Sequence, residues 1–305
     1  MEKSFLIILG YNSSLPFYNH HPTSQILYMK NNFFLIDCGE GTQTQLLKSK
    51  IKINKINNIF ISHLHGDHYF GLISILSTYQ LLRRNTLLTI YSPKGLKEII
   101  KIHLKWSYSN INYPLRFVVL SSTKQKKIYE NKNLKVYTLP LKHKIYTNGF
   151  IFKEKKNLKK LKIERIKKIK EINIKDYRSI QKGYSFIKKN GSIIPNKYLT
   201  YNRVKSLTYA FCSDTKYSPN IVKYLKKVDL LYHETTYLHK YEKLAYKRGH
   251  STSVNAATIA KKSKSKKLII GHFSNRFTNK SLFKKEAKKI FKNTIIPKTL
   301  KKYYI

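Results

Sequence analysis

A chain of 305 residues with 41% hydrophobic residues is long enough to bury a large core, and apolar runs such as Phe5 to Leu9 are far too short to span a membrane. Two cysteines, Cys38 and Cys212, exclude a disulfide scaffold and point to a reducing, cytoplasmic setting. With 61 Lys and Arg against 15 Asp and Glu, the formal charge of +46 favours a polyanionic partner, although heavy use of Lys, Ile, Asn and Tyr is also what a biased genome composition produces.

The first 60 residues read as strand-rich. Ser4–Gly10, Gln25–Lys30 and Asn32–Asp37 are short apolar or β-branched runs, the last two joined by a turn centred on Asn31. A helix is expected at Thr42–Lys48 and a strand at Asn57–Ser62. Apolar spacing through Leu72, Ile75, Leu76, Tyr79 and Leu82 predicts a helix over Tyr69–Arg84. A strand at Leu87–Tyr91 and a helix from Pro93 to His103 follow, then strands at Leu115–Leu120, Leu134–Leu139 and Phe150–Lys153. Residues 153–182 break the pattern, with 13 Lys or Arg, 4 Asp or Glu and only a loose apolar spacing; they read as a partly helical basic arm inserted in a single domain spanning 1–305. Regular structure is expected to resume at Tyr184–Lys188 and Ser206–Cys212. A helix near Pro219–Lys226, strand Asp229–His233, helix Ser253–Lys261, strand Lys267–His272 and helix Asn279–Phe291 complete the chain. Mixed α/β in both halves implies two sheets face to face with helices outside.

The sharpest signal is Ser62-His63-Leu64-His65-Gly66-Asp67-His68, between a predicted strand and a predicted helix. Three imidazoles and a carboxylate within six residues suit a borderline metal such as zinc. At a strand-end turn, alternate residues can point to separate ions, with His63 and His65 on one and Asp67 and His68 on another. His143, Asp214 and His272 each lie just past the end of an apolar strand, where loops converge, and are the candidates to complete the set. Taken singly each would more often be structural; together with the turn they form a constellation. Cys38 and Cys212 have no second cysteine at ligand spacing and read as small buried residues.

Together, His63–His68, the segment Cys212-Ser213-Asp214-Thr215 and the segment Gly271-His272-Phe273-Ser274-Asn275-Arg276 resemble the metallo-β-lactamase superfamily. The stretch from Leu35 to Gln45, Tyr91-Ser-Pro-Lys-Gly95, His233-Glu-Thr-Thr236 and Gly249-His-Ser-Thr252 narrow the resemblance to ribonuclease Z over nearly the whole chain. The resemblance implies an α/β fold, a four-layer αβ/βα sandwich, and a zinc-dependent endoribonuclease that trims the 3′ end of precursor tRNA. It implies two zinc ions, one on His63, His65 and His143, the other on Asp67, His68 and His272, with Asp214 between them. It gives Asp67 as proton acceptor and Glu234 with His250 as the pair that protonates the leaving oxygen. It places a tRNA-gripping arm at 153–182, with Lys159, Lys160 and Arg165 as expected contacts, and implies a homodimer in which one subunit's arm serves the other's site.

The match departs from the family at three places. No Gly-Pro pair interrupts the arm, which reads Ile174-Lys-Asp-Tyr-Arg-Ser-Ile180. The N-terminal turn is Leu9-Gly10-Tyr11-Asn12, and His20-His21, expected to be solvent-exposed, stand where the family has Arg-Asn. Ser274 and Arg276, on the loop after His272, are expected to hold the scissile or an adjacent phosphate, a task for which a forked guanidinium is suited. A small-molecule lactonase or phosphodiesterase on the same fold is the rival reading, since fold does not fix substrate; a relative without metal is disfavoured because all seven ligand positions are filled.

Overall fold

Short β-branched and aromatic runs, punctuated by turns, build the strands of this computed structural model, which describes residues 3–14, 20–202 and 205–305. The first sheet takes β1 (Phe5–Gly10), β2 (Ser24–Met29), β3 (Asn32–Cys38), β4 (Ile56–Phe60), β5 (Leu88–Pro93) and β6 (Leu115–Leu120). The second takes β7 (Lys127–Glu130), β8 (Leu134–Pro140) and β9 (Asn148–Glu154). The strands β10 (Phe186–Ile187) and β11 (Ile193–Ile194) pair only with each other. Strands β12 (Thr208–Cys212), β13 (Leu230–Glu234), β14 (Lys267–Gly271) and β15 (Thr294–Ile295) complete the second sheet, and β16 (Lys302–Tyr304) returns to the first. The orders are β16-β1-β2-β3-β4-β5-β6 and β15-β14-β13-β12-β9-β8-β7.

Lys30 and Asn31 both have positive φ, 50° and 61°, so β2 and β3 are joined by a two-residue turn whose twist matches the strands. From β3 to β6 the pairing is parallel, as it is from β12 to β15. Parallel strands buried on both faces need apolar residues at nearly every position, and β5 is buried throughout, as is the antiparallel β1.

Helices α1 (Thr42–Lys48), α2 (Leu72–Leu81) and α3 (Leu96–Trp106) cover one face of the first sheet. Leu46, Leu72, Ile75, Tyr79, Leu96 and Ile100 meet Phe5, Ile7, Leu35 and Ile59 there. Between the sheets runs an aromatic seam: Phe34 lies 5.2 Å from Phe152, and Phe60 lies 5.3 Å from both Phe150 and Phe152, ring centre to centre. Such pairs add about 0.5–1.5 kcal/mol each beyond the area they bury.

Several predicted elements shift. Pro93 does not open a helix; it ends β5, paired with Leu120, and Gly95 at φ +103° turns the chain into α3. The helix expected near Pro219–Lys226 is a 3₁₀ turn, Pro219–Lys223. His20 and His21 are half-buried rather than exposed, and Gln45 Nε2 donates to His21 Nε2 at 2.7 Å.

Residues 154–207 form a second compact unit. It contains α4 (Ile163–Lys167), α5 (Ile174–Lys182), the β10–β11 hairpin and α6 (Asn196–Leu199). It therefore reaches beyond the expected 153–182, and the regular structure expected at Tyr184–Lys188 is a hairpin strand, β10, inside the insertion. Ile166, Ile172, Ile180 and Leu199 make a small core of its own. Asn196 knots it, donating to the carbonyls of Ile180 and Tyr184 at 2.7 Å each and accepting from Lys159 Nζ at 2.6 Å. Helix α7 (Glu242–Arg248) has no counterpart among the predicted elements; α8 (Ser253–Lys262) and α9 (Ser281–Ile290) pack on the second sheet. Among the described residues no helix is long and apolar enough to cross a membrane.

Candidate metal centre

The carboxyl ends of parallel strands leave a crevice where loops converge. The loop after β4 carries His63, His65, Asp67 and His68; those after β12 and β14 carry Asp214 and His272; Glu234 ends β13; and His143 lies between β8 and β9. All seven expected ligands meet. His63 Nε2 lies 3.1 Å from His65 Nδ1, which lies 3.2 Å from His143 Nε2. Asp214 Oδ2 faces this trio, 3.6 Å from His63 and 3.9 Å from His143. On the other side, His68 Nε2 and His272 Nε2 are 3.3 Å apart, and Asp67 Oδ2 is 3.6 and 3.3 Å from them. Asp214 Oδ1 faces this second group at 3.5 and 3.3 Å.

These spacings fit a metal at each group. Bonds of about 2.0–2.2 Å to a tetrahedral ion put ligand atoms roughly 3.3–3.6 Å apart. Asp214 Oδ1 is buried without a hydrogen-bond partner, a costly state that a cation relieves. The cluster could hold metal ions.

The far nitrogen of four of these imidazoles is fixed as well. His68 Nδ1 meets Asp37 Oδ2 at 2.6 Å, His143 Nδ1 meets the Gly249 carbonyl at 2.7 Å, His272 Nδ1 meets Thr236 Oγ1 at 2.9 Å and His63 Nδ1 meets Ser62 Oγ at 3.0 Å. Ser62 donates its hydroxyl to Asp37, and Thr236 donates to Glu234, so each hydroxyl is left to accept from its imidazole. Those four rings thereby turn Nε2 toward the centre of the cluster. Sequence reasoning gives no role to Ser62, Thr236 and the Gly249 carbonyl, and takes Asp37 only as part of the stretch from Leu35 to Gln45.

Burial lowers the pKa of His63, His65 and His143, but on Asp67, Asp214 and His250 neighbouring charges outweigh it. Burial would raise the Asp67 and Asp214 pKa values; His68 and His272 hold both well below the usual carboxylate range. Burial would likewise neutralise His250, but Glu234, 3.2 Å from its Nδ1, raises that pKa to about 9, helped by Asp214. Glu234 is itself fully buried and accepts from the backbone N–H groups of Thr215, Ser251 and Thr236 at 3.1, 2.8 and 2.9 Å. A cavity of about 640 Å³ opens over the cluster, and Ser274 and Arg276 line it, as do Lys144 and Arg248, which no sequence motif singles out. Of the expected arm contacts, Lys159 is held by Asn196, and Arg165 lies over the Tyr198 ring at 4.6 Å; Lys160 is an exposed side chain of the same unit. Cys38 and Cys212 are buried, with no metal-facing role.

Solved structures share this architecture. Human tRNase Z, short form, superposes with a TM-score of 0.71 over 99% of both chains at 24% identity. The metallo-β-lactamase fold protein YhfI from Bacillus subtilis gives the same TM-score over 99% of both chains at 16% identity. The two facing sheets have the metallo-β-lactamase fold. Ribonuclease Z of Bacteroides thetaiotaomicron is 40% identical over 296 residues, 97% of this chain and 93% of that protein. Ribonuclease Z of Cytophaga hutchinsonii is 39% identical over 98% of this chain and 96% of its own length. The chain belongs to the ribonuclease Z family, and its residues 5–158 also match the family described as Anti-Pycsar protein Apyc1. That second match takes in His63–His68 and His143 but ends before Asp214, Glu234, His250 and His272.

Proposed function

We propose that this chain is a two-zinc endoribonuclease that removes 3′ trailers from precursor tRNA in the cytoplasm, leaving a 3′-hydroxyl on the tRNA and a 5′-phosphate on the trailer. The observation that carries the reading is Asp214, whose two buried oxygens face two separate groups of donors. His63, His65 and His143 would hold one ion, Asp67, His68 and His272 the other. When bound, a zinc pair lowers the pKa of water and offsets charge on a phosphodiester.

Asp67 supplies the proton acceptor. The Ser14 backbone N–H donates to its Oδ2 at 2.8 Å and keeps the carboxylate in place. His250, held protonated by Glu234, donates to the departing 3′-oxygen, while Arg276, Arg248 and Lys144 line the path of the phosphates. The basic insertion at 154–207 grips the tRNA body, its exposed Tyr198 and Tyr201 carrying Arg165 and Lys162 over their rings. A homodimer is supported by the exposed apolar residues of α2 and α3, Leu81, Ile102 and Trp106, which a second copy would cover.

Metal analysis beside a cleavage assay tests the reading. Purified protein should carry two zinc ions per chain and cut a precursor tRNA at the base of its trailer, a chelator should abolish cutting, and zinc should restore it. Asp214→Ala should lower both metal content and rate by orders of magnitude. Full metal and full activity in that variant overturn the two-ion reading; turnover of a generic diester with the precursor left intact favours the small-molecule rival.

A further inference from the structure

His250 also lines a second cavity, of about 350 Å³, for which the chemistry above has no use. Tyr217, Glu242, Lys243, Tyr246 and Asn255 form its walls together with His250 itself. His250 lines both this cavity and the catalytic one, so a nucleotide whose oxygen sits at His250 would have its base near the second cavity. The volume lies in the range of small-ligand sites, about 300–1,000 Å³.

The wall chemistry suits a base. Tyr246 offers an exposed ring, with Lys216 Nζ 4.2 Å from its centre, and Tyr217 a half-buried ring whose hydroxyl accepts from Lys262 Nζ at 3.3 Å. Flat rings under a positive field stack bases of any identity. Glu242 is the single carboxylate of the wall, steadied by Asn255 Nδ2, which donates to its Oε1 at 3.0 Å. A fixed carboxylate accepts from amino and ring N–H groups at a base edge, and Asn255 is in turn fixed by the Thr252 backbone, which donates to its Oδ1 at 3.0 Å.

We infer that the Tyr217–Tyr246 cavity receives the base of the last nucleotide kept on the tRNA, the one whose 3′-oxygen leaves, and so helps set where the chain is cut. In-line attack puts the entering water opposite the departing oxygen, away from His250, which leaves the retained nucleotide as the occupant. The inference rests on the reading of His250 as donor to that oxygen.

The test is a cycle between protein and substrate, using zinc-loaded enzyme and two precursors, one intact and one abasic at the last retained nucleotide. Tyr246→Ala should lower kcat/KM on the intact precursor about tenfold, chiefly through KM. On the abasic precursor it should match the wild type, and Tyr246→Phe should restore the intact rate because only the ring is needed. Glu242→Gln should alter the ranking of the four bases at that position. Equal losses on both precursors, or no loss on the intact one, overturn the cavity's role. Wild-type enzyme that fails to cut the intact precursor overturns the parent reading, a result separable from the first because it needs no variant.

Discussion

Asp37 touches no substrate path, yet it accepts from His68 Nδ1, the Ser62 backbone and the Ser62 hydroxyl. Replacing it with Asn keeps the shape and removes the charge that orients His68. Asp37→Asn should weaken zinc binding about 10–100-fold, read by competition with a chromogenic chelator, with most activity recovered at saturating metal. The clustering of these histidines and aspartates is legible because the His-x-His-x-Asp-His turn is local and His143, Asp214 and His272 each follow an apolar strand. Their supports are not. Thr236 reaches His272 across 36 residues of chain and Gly249 reaches His143 across 106, and no short pattern encodes such pairs. Arg248 and Lys144 are invisible for another reason: in a chain with 61 basic residues, no single one stands out.

The elements around His250 show how a local signal can be displaced by one residue. Ser251 and Ser253 both favour the start of α8, but Thr252 takes the cap, accepting from Asn255 N at 3.2 Å, while Ser251 is spent on Glu234 and the Thr215 carbonyl. Thr252→Ala should cost about 1 kcal/mol, seen as a lower thermal midpoint. Gly249 ends α7 at φ +85°, and a Cβ there would lie 2.7 Å from His143 Nδ1. Gly249→Ala should therefore cost about 1–2 kcal/mol in backbone strain and, by moving His143, reduce zinc affinity further than the stability loss alone accounts for. A calorimetric melt beside a zinc titration separates the two. Elements with a clear pattern, such as α1 and β6, are readable to the residue. The edge strands β7, β15 and β16, four residues or fewer, carry too little pattern, and their place comes from the neighbour they pair with.

At the scale of the molecule, the two facing sheets follow from the alternation of strands and helices, whereas the extent of the insertion does not. Its apolar residues are spaced loosely among lysines, so a core of four aliphatic side chains is hidden in what reads as a charge run. Its ends are adjacent: Lys153 pairs with Thr208 across the β9–β12 ladder. Replacing 155–206 with a short turn should leave far-ultraviolet dichroism of the sheets and zinc content intact while precursor KM rises. The slope of log KM against log salt should flatten by about 0.7–0.9 for each phosphate the shortened protein no longer neutralises. An unchanged KM and slope would remove the insertion from substrate binding.

The buried Oδ1 of Asp214, without a hydrogen bond, has a thermodynamic corollary. Facing His68 and His272 at 3.5 and 3.3 Å, it would gain from a bound cation, and an ion that binds only the folded chain links uptake to folding by mass action. Each tenfold rise in free zinc above the dissociation constant should add about 1.4 kcal/mol per ion to unfolding free energy. Zinc scarcity would then show first as a shrinking pool of folded protein, before any slowing per molecule.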